Sequence, residues 1–489
     1  MAIYKEQIKV IREDKFAEEP TYDSNKVLVV DATDWTLTPD HGVITQETLS
    51  TTGTTVALPG GYSVTGSVTV PARMSQIDKL NEIGFGESIT KTFSKTDDND
   101  NLVYKIKASL AIPTQKELPS FTVYHLYPEP EVVDVVLGTV FTNMRVEFAT
   151  DRVLTYSYDI TAQKNKTVKD QTELAKKKYQ NESMPIQDYV RALDAALFAD
   201  IKVLKLEVKQ NSDTNETTVK FIDEKENIEY IPVEESDGYY KKVKATIDGK
   251  EEQFSLIDAI PIKKESDAGE NYNQVRYLVG RKIINVSTVR LDLRIENAGR
   301  DAYRLGSRFA NEYPLRKVVR QDYTGSMTID FTMTDTAENV DSMELYNEFI
   351  NGARTEEIIE PTEAGIGKMS VVIKVGSAYD IRSKTDKADV RVPHNFGMNV
   401  DDPFMCNADI DKPNLGSPNR CLYILPNVVL ERADKRDTVG TLKTIDLTIR
   451  MLPDDELFKG YVVQGDGMPK PRSIDSLRAF AVSWLKPQN

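Results

Sequence analysis

Tyr62-Ser-Val-Thr65-Gly66-Ser67-Val68-Thr69-Val70 and, far downstream, Asp322-Tyr323-Thr324-Gly325-Ser326-Met327-Thr328-Ile329 carry one pattern twice. Each is Thr-Gly-Ser followed by alternating apolar and polar residues, the period-2 signature of a strand with one buried and one wet face. On this reading Val68, Val70, Met327, Ile329 and Phe331 are core side chains. Gly66 and Gly325 then mark close packing within a strand. The sequence after each strand agrees too. Met74 to Gly84 and Ser342 to Gly352 both space apolar residues for a helix, through Leu80 and Ile83 in one and Leu345 and Phe349 in the other. Each helix carries Asn-Glu (Asn81-Glu82, Asn347-Glu348) and ends on a glycine, which predicts a left-handed cap.

The ends of the two units agree more loosely. Tyr124-His-Leu126-Tyr-Pro128 is similar to Tyr423-Ile-Leu425-Pro426, and Asn143 to Glu147 is similar to Asn427 to Glu431. Alternating strands follow at Val153 to Ile160 and Leu442 to Ile449. The ordered recurrence of strand, helix, strand and strand implies a duplicated domain. A mainly β (α+β) fold is expected, with β-sandwich or barrel domains at 1–160 and 286–489, each with a flanking helix. Between them, 161–285 holds a linker, a helix and an inserted β-rich module.

In that middle region, residues 161 to 183 are rich in Lys, Asn and Gln and read as a solvated linker. Ile186, Tyr189, Val190, Leu193 and Leu197 predict one face of an amphipathic helix. Short alternating runs from 201 to 260, broken at Asn211 to Asn215 and at Asp248-Gly249, predict a β-meander. The second unit opens on a strand with Val289, Leu291, Leu293 and Ile295 on one side and Arg290, Asp292, Arg294 and Glu296 on the other. A long Pro-, Asn- and Asp-rich excursion, roughly 376 to 421, reads as an exposed loop. Ile474, Leu477, Phe480, Ala481 and Trp484 predict a short C-terminal helix.

Composition narrows the function. At 489 residues the chain has room for two or three cores, and 40% hydrophobic residues with 22 Tyr and 16 Phe suit a folded β-rich protein. The N-terminus lacks the apolar core of a secretory signal, so the expected site of synthesis and assembly is the cytoplasm. There Cys406 and Cys421 are expected as free thiols. Acidic residues outnumber basic ones by 77 to 62, for a net charge of −15, which disfavours tight binding to nucleic-acid phosphates.

Reactive constellations are sparse. His41, His125 and His394 lie far apart without ligand spacing, and no metal is expected. Gly84-Phe-Gly86 and Gly365-Ile-Gly367 lack the phosphate-loop context, and Thr-Gly-Ser is no nucleophile elbow. Asp97 to Asp100 and Asp409 to Asp411 fall short of a calcium loop and read as solvated turns. The sequons at Asn165, Asn215 and Asn285 carry no weight without secretion. No catalytic residue and no cofactor are assigned.

One stretch of the second unit resembles a known family. Tyr303-Arg-Leu305-Gly306-Ser307-Arg308, the Thr324-Gly325-Ser326 strand through Phe331, and Glu344-Leu345-Tyr346-Asn347-Glu348-Phe349-Ile350-Asn351-Gly352 are similar to phage tail tube proteins over residues 286 to 360. The first unit lacks the Leu-Gly-Ser-Arg segment. The resemblance implies a β-sandwich or small barrel with a helix, and subunits that form rings. It also implies a hairpin from each subunit entering a shared inner barrel, with three two-domain chains supplying six positions per ring. The implied partners are further copies of this chain, other tail proteins, and DNA passing through the lumen without specific binding, in a virion tail. Alternatives in the same reading are the inner tube of a contractile tail or related injection machine, and a tail decoration or receptor-binding module using residues 184 to 285. The same alternation also suits a purely intramolecular sandwich.

Overall fold

A computed structural model describes residues 7–23, 26–47, 54–73, 76–96, 102–113, 117–127, 132–169, 189–192, 195–210, 217–234, 240–247, 249–262, 274–297, 316–331, 339–351, 368–376, 379–380, 392–393, 419–437, 443–452 and 462–466. The fold is mainly β. The first unit comprises β1 (Gln7–Arg12), β2 (Leu28–Val30), β3 (Asp34–Glu47), β4 (Thr54–Pro71), helix α1 (Ile77–Phe85), β5 (Gly86–Thr96), β6 (Leu102–Pro113), β7 (Phe121–Tyr127), β8 (Val132–Ala149), β9 (Thr155–Ala162) and β10 (Lys164–Lys169). Its strands pair in the order β3-β4-β9-β8 on one side and β2-β1-β7-β8-β10 on the other, with the long β8 shared between the two sheets. Ile8, Val10, Val30, Val68, Val70, Leu80, Ile83, Phe141 and Tyr158 fill the space between them.

The middle unit comprises β11 (Ala195–Gln210), β12 (Thr217–Asp223), β13 (Ile228–Glu234), β14 (Tyr240–Ile247), β15 (Lys250–Ile262) and β16 (Gln274–Ile283). The meander closes, because β16 returns to pair with β11, making a six-stranded barrel. Closure leaves no exposed edge and gives the barrel its own core of Leu204, Phe221, Tyr230, Val243, Phe254 and Tyr277. Gly249, at φ 79°, sits in the tight connection between β14 and β15 that Asp248-Gly249 predicted.

The second unit comprises β17 (Val286–Asn297), β18 (Val318–Asp330), β19 (Asn339–Val340), helix α2 (Ser342–Asn351), β20 (Lys368–Gly376), β21 (Tyr379–Asp380), β22 (Val392–Pro393), β23 (Asn419–Arg436), β24 (Thr444–Leu452) and β25 (Val462–Asp466). Its main sheet runs β17-β18-β24-β23-β20, and β20 continues onto barrel strand β11. Asp341 caps α2 by accepting from the backbone N–H groups of Met343 and Glu344 at 2.8 and 2.9 Å.

Several expectations change. The helix through Tyr189, Val190 and Leu197 is absent: Val190 exchanges backbone bonds with Ala72 and Leu154, and Leu197 lies in strand β11. The helical spacing is real, but unpaired backbone at Ala72 and Leu154 captures the segment as extended chain. Lys164 to Lys169 is no linker but β10, which among the described residues pairs with β8 alone and carries lysines that suit a solvent-facing rim. Gly84 is not a left-handed cap. It lies inside α1, where a Cβ would come within 2.0 Å of Met144 Sδ, so it lets the helix sit down on β8. Gly352, Leu193, Ile186, the C-terminal helix from Ile474 to Trp484 and most of the 376–421 excursion lie outside the described residues.

Gly66 and Gly325 have one job in two places. A Cβ on Gly66 would meet the carbonyl oxygen of Thr36 at 2.1 Å, and one on Gly325 would meet that of Arg290 at 2.6 Å. Replacing either with alanine forces two hydrogen-bonded strands apart. Gly66→Ala and Gly325→Ala should each lose about 1–3 kcal/mol in denaturant titration. Gly249→Ala, with nothing within 4 Å of its Cβ, should show only the smaller strain of its positive φ.

Candidate assembly seam

The strands join in one antiparallel run across both units: β3-β4-β9-β8-β17-β18-β24-β23. Its centre is the pairing of β8 with β17, from Ala149 opposite Thr288 to Asn143 opposite Arg294. Each unit contributes four strands, and register shows that they match residue by residue. Gly66 and Val68 face Ile160 and Tyr158, while Gly325 and Met327 face Ile449 and Leu447. The β8–β9 ladder bulges between Phe141 and Asn143, and the β23–β24 ladder bulges at the matching place, between Leu430 and Arg432. A second matched pair of bulges lies between Phe121 and Val123 and between Met369 and Val371. A bulge bends its strand and resets the register, so coincidence at two places marks one architecture used twice.

These registers correct two sequence pairings. Asn143 is level with Arg432, not Asn427, and Tyr124 lies in β7 whereas Tyr423 lies in β23, the counterpart of β8. Short matches of Tyr, Leu, Asn and Glu carry little positional information, and the ladders decide. The Asn-Glu match holds better, for Asn81 and Asn347 are both buried on their helices.

On the core side of the seam, Met144, Val146 and Phe148 are buried with Val289, Leu291 and Leu293. Phe148 meets the Tyr423 ring edge-on, with centroids 5.9 Å apart. On the wet side Arg145 Nε donates to Asp292 at 2.7 Å, and Arg290 Nε donates to the same carboxylate at 2.8 Å. The backbone N–H of Ile295 donates to Asn143 Oδ1 at 3.3 Å. Below the seam, Tyr156 shares a short hydrogen bond with Tyr423 and donates to Asn81 Oδ1 at 3.1 Å, while Tyr158 donates to the carbonyl of Leu80 at 2.8 Å. Cys421 is buried beside this cluster.

Val68, Val70, Met327, Ile329, Leu80, Ile83 and Leu345 are all buried, with 5% exposure or less. Phe331 is not. It is 38% exposed, with Lys435 Nζ 5.6 Å from its ring centre. Its N–H bonds the carbonyl of Lys443, as Ala72 bonds Leu154 in the first unit. Ala72 is covered there by Val190, a strip with no counterpart among the described residues of the second unit. Phe349 lies on α2, its side chain outside the described residues. His41 packs on Tyr62, and His125 is buried between the rings of Trp35 and Tyr127. His394, Cys406, Gly365, Gly367 and both acidic clusters lie outside the described residues. Asn165 accepts a hydrogen bond from Tyr62.

The seam is the residue set that sequence reasoning missed. Its signal is the alternating run of β17, which is visible, but the partner of that run is not.

Burial holds Tyr156, Tyr158 and Tyr423 well above the ordinary tyrosine value of 10.0. The neutral phenols are favoured in the fold, so their contribution to stability is complete below about pH 10 and falls as pH rises past that value. Phenolate absorbance should therefore show these three ionising together with loss of near-UV circular dichroism, not as independent surface groups. Separately, Leu291→Ala should cost about 2–4 kcal/mol by emptying the core side of the seam. No protein-family model matches the chain, and no curated protein matches it.

Proposed function

We propose that the chain is the structural subunit of a phage tail tube, self-assembling into stacked rings that form the conduit for genome delivery. The observation carrying this reading is the eight-strand run, built from two like units joined edge to edge and, among the described residues, left unfinished along β3 and along β23 beyond its bulge. A sheet that ends on unpaired backbone groups invites another strand, and a head-to-tail contact repeated around an axis closes a ring. The Thr-Gly-Ser and Glu-Leu-Tyr resemblance points the same way, and it supplies the expectation of three chains for six positions.

The wet face of the run suits a conduit. Thr36 bonds Ser67 at 2.9 Å and Thr69 bonds Ser157 at 3.1 Å, while Arg145, Arg290, Arg436 and Arg450 are ion-paired to aspartates. Neutral hydroxyls and guanidiniums balanced by carboxylates present little net positive charge, so electrostatic attraction to DNA phosphates is weak and DNA can slide. The barrel, closed on itself and attached through β11 to β20 and through β16 to β19, is not needed to complete the run and has room to project from the ring.

Purified protein, concentrated and imaged by negative-stain microscopy, should form hollow tubes with a regular axial repeat, with top views showing six lobes. Persistent monomers, even with tail-tip components added as seed, would sink the proposal. Tubes that retain duplex DNA at physiological salt would contradict the conduit role of the wet face.

A further inference from the structure

The β8–β17 seam joins the two units edge to edge inside the chain. Because the two units match strand for strand, β23 is the counterpart of β8 and β3 the counterpart of β17. Beyond its bulge, β23 pairs with β24 on one side, and among the described residues no strand lies on the other. Likewise β3 pairs with β4 alone among the described residues. From the matched registers we infer that β23 of one chain pairs antiparallel with β3 of a second copy of this chain, in the register of the internal seam. This rests on the assembly reading above and specifies its contact.

The register follows from known partners. Val289 faces Phe148, Leu291 faces Val146, Asp292 faces Arg145 and Arg294 faces Asn143. Their counterparts put Trp35 opposite Asp437, Leu37 opposite Lys435, Thr38 opposite Asp434 and Asp40 opposite Arg432. Asp40 and Arg432 are oppositely charged, as Asp292 and Arg145 are at the internal seam.

Burial supplies a separate observation. Val289 and Leu291 are 2% and 7% exposed beneath the internal seam, whereas their counterparts Trp35 and Leu37 are only half-buried. A strand laid against β3 would cover them as β8 covers β17. The aliphatic stem of Lys435, whose ammonium lies 3.6 Å from the Tyr346 ring centre, would then lie beside Leu37.

Pro39 qualifies the match. The carbonyl of Thr36 points at Gly66, so the backbone groups of Thr36 and Thr38 face β4 and those of Leu37 and Pro39 face outward. The new ladder therefore lacks the donor that Leu293 supplies at the internal seam. A proline on an edge also discourages indiscriminate pairing, so specificity gains where one bond is lost.

The same geometry places Thr38 in a non-hydrogen-bonded pair with Asp434, where Cα atoms approach to about 4.5 Å and a disulfide fits. The test is the full chain carrying Thr38→Cys and Asp434→Cys, oxidised after assembly, with linkages mapped by mass spectrometry. Covalent dimers and higher multimers joined 38 to 434 are expected. Thr38→Cys with Lys435→Cys, on opposite faces in this register, should give at least tenfold less. Arg145→Cys with Asp292→Cys should close the equivalent bond within one chain and so check the template.

Outcomes separate the two readings. Tubes without the 38–434 bond, or with linkage at Lys435→Cys instead, would overturn the register and leave the tube proposal standing. The 38–434 bond in closed rings that never stack would support the register and overturn the tube. A chain that stays monomeric at every concentration would overturn both.

Discussion

The backbone hydrogen bonds of a sheet edge are the constraint on which this molecule turns. A strand with one bare side exposes a row of donors and acceptors that water satisfies and that another strand satisfies with added side-chain burial. Among the described residues the chain meets this demand in several ways. The barrel closes β11 to β16 into a ring of six. The first unit docks Val190 onto Ala72 and Leu154. The central seam pairs β8 with β17 and merges two units into one sheet. At β3 and β23 the demand is left open among the described residues, and the proposal of self-assembly follows from that remainder.

The likeness of the two units explains why the internal solution can be carried outward. Two glycines admit the same close carbonyl, and two pairs of bulges bend the strands at matched places. The differences between the units are informative in turn. Val146 and Phe148 are matched by Lys435 and Asp437, so the second unit has a polar rim where the first has buried apolar contact. An apolar edge would favour collapse onto any sheet, and a charged rim keeps the free chain soluble while allowing the complementary partner.

Much of this is legible in the sequence. Period-2 alternation locates β4, β9, β17, β18 and β24, and apolar spacing with Asn-Glu locates both helices. The meander is legible from its turns, but its closure is not, because no local pattern encodes the pairing of β11 with β16 across the barrel. The segment around Val190 misleads for a related reason: helical spacing of a few apolar residues cannot outweigh a tertiary site with unpaired backbone. Phe331 continues the alternation of Met327 and Ile329 faithfully, yet the strand ends at Asp330 and the cover found over Ala72 has no counterpart there among the described residues. The seam itself, including Arg145 with Asp292, requires knowing which strands meet.

A reconstruction of the assembled protein by electron cryomicroscopy, at a resolution that traces strands, tests the central claim most directly. The expected map shows the step from the second unit of one chain to the first unit of the next repeating the step between the two units within a chain, with β23 against β3. Neighbouring chains meeting through the barrel, or with β3 and β23 left bare, would contradict it.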